Sequence, residues 1–238
     1  MKILWFAIAF AAVASSTNYQ IESDSLNFGG LLSTSPNYRL EDTLGEIATG
    51  NSSGTTYKIK AGYRAMLGSS ISISAPSNLT LSSIVSAPSG RSEGSVAWTV
   101  ITDNEAGYTL AIKAATTPAL KSNDGSDSFA NYSPGSSVPD YTWSVAANAS
   151  EFGFSPEGTD VASSYLDNGS TCGTGSSETA NRCWDGFLTN NKTIASRASN
   201  NTPNGTVTTV QLRADITADR SQTVGNYSAT LTATALAQ

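Results

Sequence analysis

Val207-Thr208-Thr209-Val210-Gln211-Leu212-Arg213-Ala214-Asp215-Ile216 reads as one long strand, with Thr and Val where β-branched side chains suit an extended chain. Downstream, Thr223-Val224-Gly225-Asn226 turns into Tyr227-Ser228-Ala229-Thr230-Leu231-Thr232-Ala233-Thr234. Tyr227, Ala229, Leu231 and Ala233 fall on one face and Ser228, Thr230, Thr232 and Thr234 on the other, the period of a half-buried strand.

Upstream the same grammar continues. Ile71-Ser72-Ile73 and Leu79-Thr80-Leu81 alternate. Residues 96–101 form a dense apolar strand around Trp98, and Tyr108-Thr109-Leu110-Ala111-Ile112-Lys113 alternates cleanly. Asn104-Glu105-Ala106-Gly107 supplies a turn between them, which predicts a hairpin at the heart of a core. Residues 114–205 are less regular. Asp124-Gly125, Pro134-Gly135, Pro139-Asp140, Asn168-Gly169 and Asn204-Gly205 are turn formers, and apolar anchors such as Phe129, Tyr132, Tyr141, Trp143, Phe152, Phe154 and Tyr165 interrupt the loops. No helical period appears after the leader. The expectation is an all-β, Ig-like β-sandwich over residues 71–238 with long decorated loops.

Residues 15–66 carry a repeat. Tyr19, Tyr38 and Tyr57 fall nineteen residues apart, in the frames Thr17-Asn18-Tyr19-Gln20-Ile21, Pro36-Asn37-Tyr38-Arg39-Leu40 and Thr55-Thr56-Tyr57-Lys58-Ile59. Gly29-Gly30 and Gly50-Asn51-Ser52-Ser53-Gly54 punctuate them. A fixed period means repeated supersecondary units. These residues are expected to form a β arm or small sheet, joined by a linker at 67–70. Residues 1–14 read as a secretory signal: Lys2, an apolar run from Ile3 to Ala11, and the small-residue site Ala12-Val13-Ala14.

Composition narrows the function. The formal charge is −6, and charged residues make up only 13% of the chain, about half the usual share. With no basic stripe to neutralise phosphates, nucleic acid is a poor partner, and an anionic membrane surface is equally so. Histidine is absent, which removes the commonest general base, the usual metal ligand and every Ser-His or Cys-His nucleophile. Gly90-Arg91-Ser92-Glu93-Gly94 matches a nucleophile elbow, but no helix follows and no histidine activates Ser92, so it reads as a turn. Glu151, Glu157, Asp140 and Asp160 are acids without a spacing that singles out a glycosidase pair. The chain is expected not to be an enzyme.

No cofactor is expected. Structural calcium stays open at Asn123-Asp124-Gly125-Ser126-Asp127, with Asp103, Asp160 and Asp167 as further oxygen donors, although the spacing is not that of an EF-hand and a surface turn is the first reading. Cys172 and Cys183 are expected to form a disulfide closing a short loop, stabilising by about 3 kcal/mol in the chain-entropy model. Among the aromatic residues, Trp98 and Trp143 read as core. Trp184, in a Gly/Asp-rich loop beside Cys183, is the one expected to be exposed, with Phe187 beside it, as a ligand contact.

Several stretches resemble a loosely defined group of secreted bacterial surface proteins, found especially in uncultivated lineages: Asn37-Tyr38-Arg39-Leu40-Glu41-Asp42-Thr43-Leu44-Gly45-Glu46, with Tyr57 to Met66; Trp98-Thr99-Val100-Ile101-Thr102-Asp103-Asn104, with Gly107-Tyr108; and Gly225-Asn226-Tyr227-Ser228-Ala229-Thr230. The resemblance implies extracellular Ig-like architecture and surface display, and no reaction. In architecture the chain is also similar to subunits of donor-strand filaments, in which an N-terminal segment completes the next subunit's sandwich. From these follow two expectations. The first is a self-assembling, secreted or cell-surface structural protein whose partner is another copy of itself, joined by strand addition through Tyr19, Ile21, Tyr38, Leu40, Tyr57 and Ile59. The alternative is an adhesin that takes surface glycans at the loop 172–187.

Overall fold

The computed structural model describes residues 68–84, 89–135 and 139–238 in full, and in the N-terminal region the backbone of residues 14–15, 20–21, 32–34, 39–41, 50–53 and 58–62. The chain divides into two compact units, Met1–Gly68 and Ser69–Gln238. Residues 1–13, where the leader is expected, lie outside the described residues.

The first unit shows what the repeat builds. β1 (Ala14–Ser15) pairs antiparallel with β2 (Gln20–Ile21), β3 (Leu32–Thr34) with β4 (Arg39–Glu41), and β5 (Gly50–Ser53) with β6 (Lys58–Ala61). The innermost partners are Ser15 and Gln20, Thr34 and Arg39, Ser53 and Lys58, so the register itself recurs every nineteen residues. Each repeat thus contributes one two-stranded antiparallel pair.

The second unit is all-β, with no α-helix among its described residues. Its strands are β7 (Ile71–Ile73), β8 (Gly90–Thr102), β9 (Tyr108–Ala114), β10 (Leu120–Ser122), β11 (Ser128–Asn131), β12 (Ser150–Glu157), β13 (Asp185–Gly186), β14 (Lys192–Arg197), β15 (Thr206–Ile216), β16 (Tyr227–Ser228) and β17 (Leu231–Ala237). One large sheet runs β16-β10-β11-β12-β15-β8-β7, with β13 added on β12. A small sheet, β14-β9-β17, packs on it as a sandwich. Every pairing is antiparallel except β11 with β12.

The core follows from strand parity. Val210, Leu212, Ala214 and Ile216 of β15, Trp98 and Val100 of β8, and Tyr108, Leu110, Ile112 and Ala114 of β9 are all buried in one cluster. β12 is buried on both faces from Phe152 to Pro156, because a second cluster of Tyr132, Trp143 and Trp184 covers its outer side.

Three expectations are corrected here. Residues 96–101 and 108–113 do not form a hairpin. β8 takes β15 and β7 as ladder partners and β9 takes β14 and β17, so the turn at Asn104 to Gly107 is an arch between sheets. Gly107 makes that arch feasible with φ +85, and its N–H donates to the carbonyl of Asn104 at 2.9 Å. The segment Gly90-Arg91-Ser92-Glu93-Gly94 is not a turn but the start of β8, in full register with β15. The closing strand Tyr227–Thr234 is split: Tyr227–Ser228 bonds to β10 in the large sheet and β17 bonds to β9 in the small one, with Ala229 and Thr230 crossing between them.

Candidate functional site

A three-stranded sheet cannot cover a sheet more than twice as wide, and the shortfall appears on one side of the sandwich. On that side β17 is the edge of the small sheet, and among the described residues no strand pairs with its outer side. The phase of its ladder is fixed at both ends. The N–H of Ala115 donates to the carbonyl of Thr230, and that of Gln238 to the carbonyl of Gly107. Even-numbered residues of β17 therefore bond to β9, and Leu231, Ala233, Ala235 and Ala237 turn their N–H and C=O outward. The facing edge of the large sheet is nearly as open. On that edge β7 pairs only with Val100 to Thr102, and Ser74 adds two bonds at Thr99, so the edge of β8 away from β15 has no partner strand from Gly90 to Trp98 among the described residues.

Between the β8 edge and the Leu231 end of β17 lies a cavity of about 930 Å³, while elsewhere β17 runs close to β7. Its floor is the inner face of the large sheet: Val96 and Trp98 of β8, Leu212, Ala214 and Ile216 of β15, Phe152 and Phe129. Its walls are residues 76–84 on one side and 222–231 on the other. An apolar floor bordered by unpaired strand edge has the form that accepts an extended strand.

Residues 76–84 lie over part of this floor without joining either sheet. Leu79-Thr80-Leu81 has strand alternation, as the sequence suggests, but the expected strand is absent: residues 75–84 make no backbone hydrogen bond among the described residues. Side chains hold the segment instead. Leu81 and Ile84 are half-buried against the core, and Leu79 remains 37% exposed. A Cβ at Gly94 would lie 2.8 Å from Leu81 Cδ2 and 3.0 Å from Leu79 Cδ2, so any side chain there would push these leucine methyl groups off their seat. Ser82 Oγ and Ser92 Oγ share a hydrogen bond of 2.9 Å.

The loop around the disulfide is built differently. Cys172 and Cys183 are bonded, with their Cα atoms 5.6 Å apart. Asp167, fully buried, gathers the loop: its carboxylate accepts the N–H of Gly169 at 2.7 Å and the N–H and hydroxyl of Thr179 at 3.0 and 3.1 Å. Trp184 is corrected from exposed to buried, at 2% exposure. It packs edge-on against Trp143 with centroids 5.2 Å apart, donates its Nε1–H to the carbonyl of Asn181 at 3.1 Å, and is overlain by the Arg213 guanidinium. Phe187 is buried as well, between Phe152 and Phe154. Loop composition suggested exposure, but these two rings are used in packing.

The acids are each taken up locally. Asp140 accepts the Tyr132 hydroxyl at 2.8 Å, and burial followed by this bond pushes that phenol up to about 12. Asp160 accepts the Tyr108 hydroxyl at 2.9 Å and pairs with Arg197 at 3.2 Å. Glu157 accepts Asn181 N–H and Gln211 Nε2–H. Burial raises the Glu151 carboxyl. Residues 123–127 form the turn between β10 and β11. Hydrogen bonds from Ser126 lower Asp124 to about 2, and Asp127 pairs with Arg220 at 2.8 Å. Among the described residues no three Asp, Glu or Cys side chains converge into a metal site. Also among them, no helix is long and apolar enough to cross a membrane.

Of the residues expected to mediate assembly, Ile21 lies in β2 opposite Ala14, Leu40 in β4 opposite Ser33, and Ile59 in β6 opposite Ser52. Tyr19, Tyr38 and Tyr57 lie outside the described residues. The seam was not anticipated from the sequence. Its one legible trace is Gly94, a glycine at an inward position of a strand whose neighbours there are Ser92, Val96 and Trp98. In comparisons with known proteins, no family model matches the chain, and no curated protein or solved structure does so.

Proposed function

We propose that this chain is a secreted, Ig-like structural protein of the cell surface that builds an extracellular filament or layer by β-strand addition, without enzymatic activity. The observation that carries the reading is the open side of the sandwich. An apolar floor lies there between the unpaired edges of β17 and β8. Main-chain pairing along such an edge supplies affinity, and alternate side chains entering the floor supply register. The donor is the N-terminal region of a neighbouring copy, with Tyr19, Ile21, Tyr38, Leu40, Tyr57 and Ile59 as the inserted side chains. Its short strands suit the role, since a two-stranded hairpin is marginal alone and gains by joining a wider sheet. Contact from one subunit's front to the next one's back does not close, so it propagates as an open polymer. The disulfide fits an oxidising, extracellular setting.

Negative-stain microscopy of the concentrated chain tests this reading. Regular filaments or sheets are expected, and they should disappear when residues 15–66 are deleted. Assembly that survives the deletion would overturn the assignment of the donor.

A further inference from the structure

We propose that residues 76–84 are a self-supplied, displaceable cover over the seam, holding it shut in the free subunit until a strand from a second copy takes their place. This rests on the strand-addition reading and adds its regulation. The segment has the side-chain alternation of a strand, Leu79 and Leu81 against Thr80 and Ser82, yet none of a strand's backbone bonds among the described residues. It lies against Gly94 and Ser92 of β8, whose edge there lacks the partner it has the pattern to be. Its hold consists of Leu79 and Leu81 over Gly94, Ile84 against the core, and one hydroxyl pair, Ser82 with Ser92. A bound strand of similar length would keep such side-chain contacts and add a ladder of main-chain bonds, each worth about 0.5–1.5 kcal/mol net. The incoming strand therefore outcompetes the cover, while the cover shields the apolar floor from chance contacts beforehand. An unshielded edge of this kind invites indiscriminate pairing.

The test uses the full chain and a fluorescently labelled peptide of residues 74–84. In the variant carrying Leu79→Ser and Leu81→Ser, the cover loses its anchors while the seat at Gly94 stays intact. Anisotropy should show the peptide binding this variant at least about tenfold more tightly than the wild type, a difference of about 1.4 kcal/mol. Adding Gly94→Leu should abolish capture by filling the seat. Equal affinity for wild type and variant, or no capture by the variant, overturns the cover. Gly94→Leu alone gives a second reading that does not depend on the peptide. Chymotrypsin cleavage at Leu79 and Leu81 should quicken by about tenfold as the open population rises by the same factor, and unchanged cleavage contradicts the proposal. If the double variant captures peptide but neither it nor the wild type forms filaments, the cover stands and the self-assembly reading fails.

Discussion

Lys192 pairs with Asp185, and the pair ties the two sheets together: Asp185 lies in β13 on the large sheet, and Lys192 opens β14 on the small one. The Asp185 side chain is 6% exposed and that of Lys192 is 31% exposed. The same carboxylate oxygen accepts the Tyr165 hydroxyl at 3.1 Å, and its partner oxygen accepts the N–H of Gly186 at 2.7 Å.

That asymmetry of burial predicts unequal mutants. Lys192→Met strands a buried carboxylate and should cost about 2 kcal/mol, below the usual figure for a fully buried pair because the ammonium is partly solvated. Asp185→Asn leaves a lysine that can turn to water and keeps the Tyr165 bond, so it should cost about 1 kcal/mol. Urea unfolding of the two variants measures both. The reverse order would mean that the pair contributes through lysine packing rather than charge.

The disulfide makes a separate prediction. Cys172→Ser with Cys183→Ser should lower stability by about 3 kcal/mol in the chain-entropy model. The loss should begin locally, between the two cysteine positions, and be partial there, because Asp167 still gathers residues 169 and 179 when the covalent link is gone. Protease nicking between the two cysteine positions should precede global melting, and Trp184 emission should shift red before the rest of the fold is lost. A single melting transition for both signals would show the loop and the core to be one cooperative unit.

Stability should be flat from about pH 6 to about pH 9, since no histidine is available to titrate in that window. At the alkaline end, Tyr132 is raised to about 12, and Tyr108 and Tyr165 are raised as well, in each case first by burial. A raised phenol contributes stability that is complete below its ordinary value near 10 and is lost as pH climbs through the folded value. At the acid end, Asp124 is lowered to about 2 by its bonds from Ser126. Asp127 is lowered too, burial being outweighed by the N–H groups of Thr223 and Ser128 and by Arg220. Their contribution is present above about 3.8 and fades as pH falls through the folded values. Glu151 and Glu178, raised first by burial, work the other way: their contribution is present at low pH and is lost as pH rises through the folded values. Thermal melts across pH check the plateau, and an inflection near neutrality would contradict it.

The sandwich was legible because its strands obey period two. β15, β9 and β17 each put one apolar face inward, and alternation alone finds such strands. Ladder partners were not legible. Residues 96–101 and 108–113 look the same whether they sit side by side or face each other across a core, and only the sides already taken by β15, β7, β14 and β17 decide between the two. The seam was hidden for a related reason. Leu79-Thr80-Leu81 carries a strand's pattern whether or not its backbone finds a partner. Trp184 misled through its neighbours: Gly and Asp residues suggest a wet loop, yet Asp140 bridges to Trp184 and Arg213 lies over the ring, turning it inward.

The ladder phase of β17 gives the sharpest test of strand addition. Ala235 turns its N–H away from β9, whereas Thr234 points its own toward Ala111. Proline removes one N–H in either place. Thr234→Pro should break a β9 bond and destabilise the sandwich by at least about 1 kcal/mol, the net worth of that bond. Ala235→Pro should leave that ladder whole and cost far less, while taking a donor from the outer edge and putting a ring where an incoming strand must lie. The expected result is a folded Ala235→Pro protein with a nearly unchanged melting temperature and no filaments. Because the substitution changes an edge residue without altering charge or the N-terminal repeats, filament formation at the wild-type rate would remove β17 from the interface.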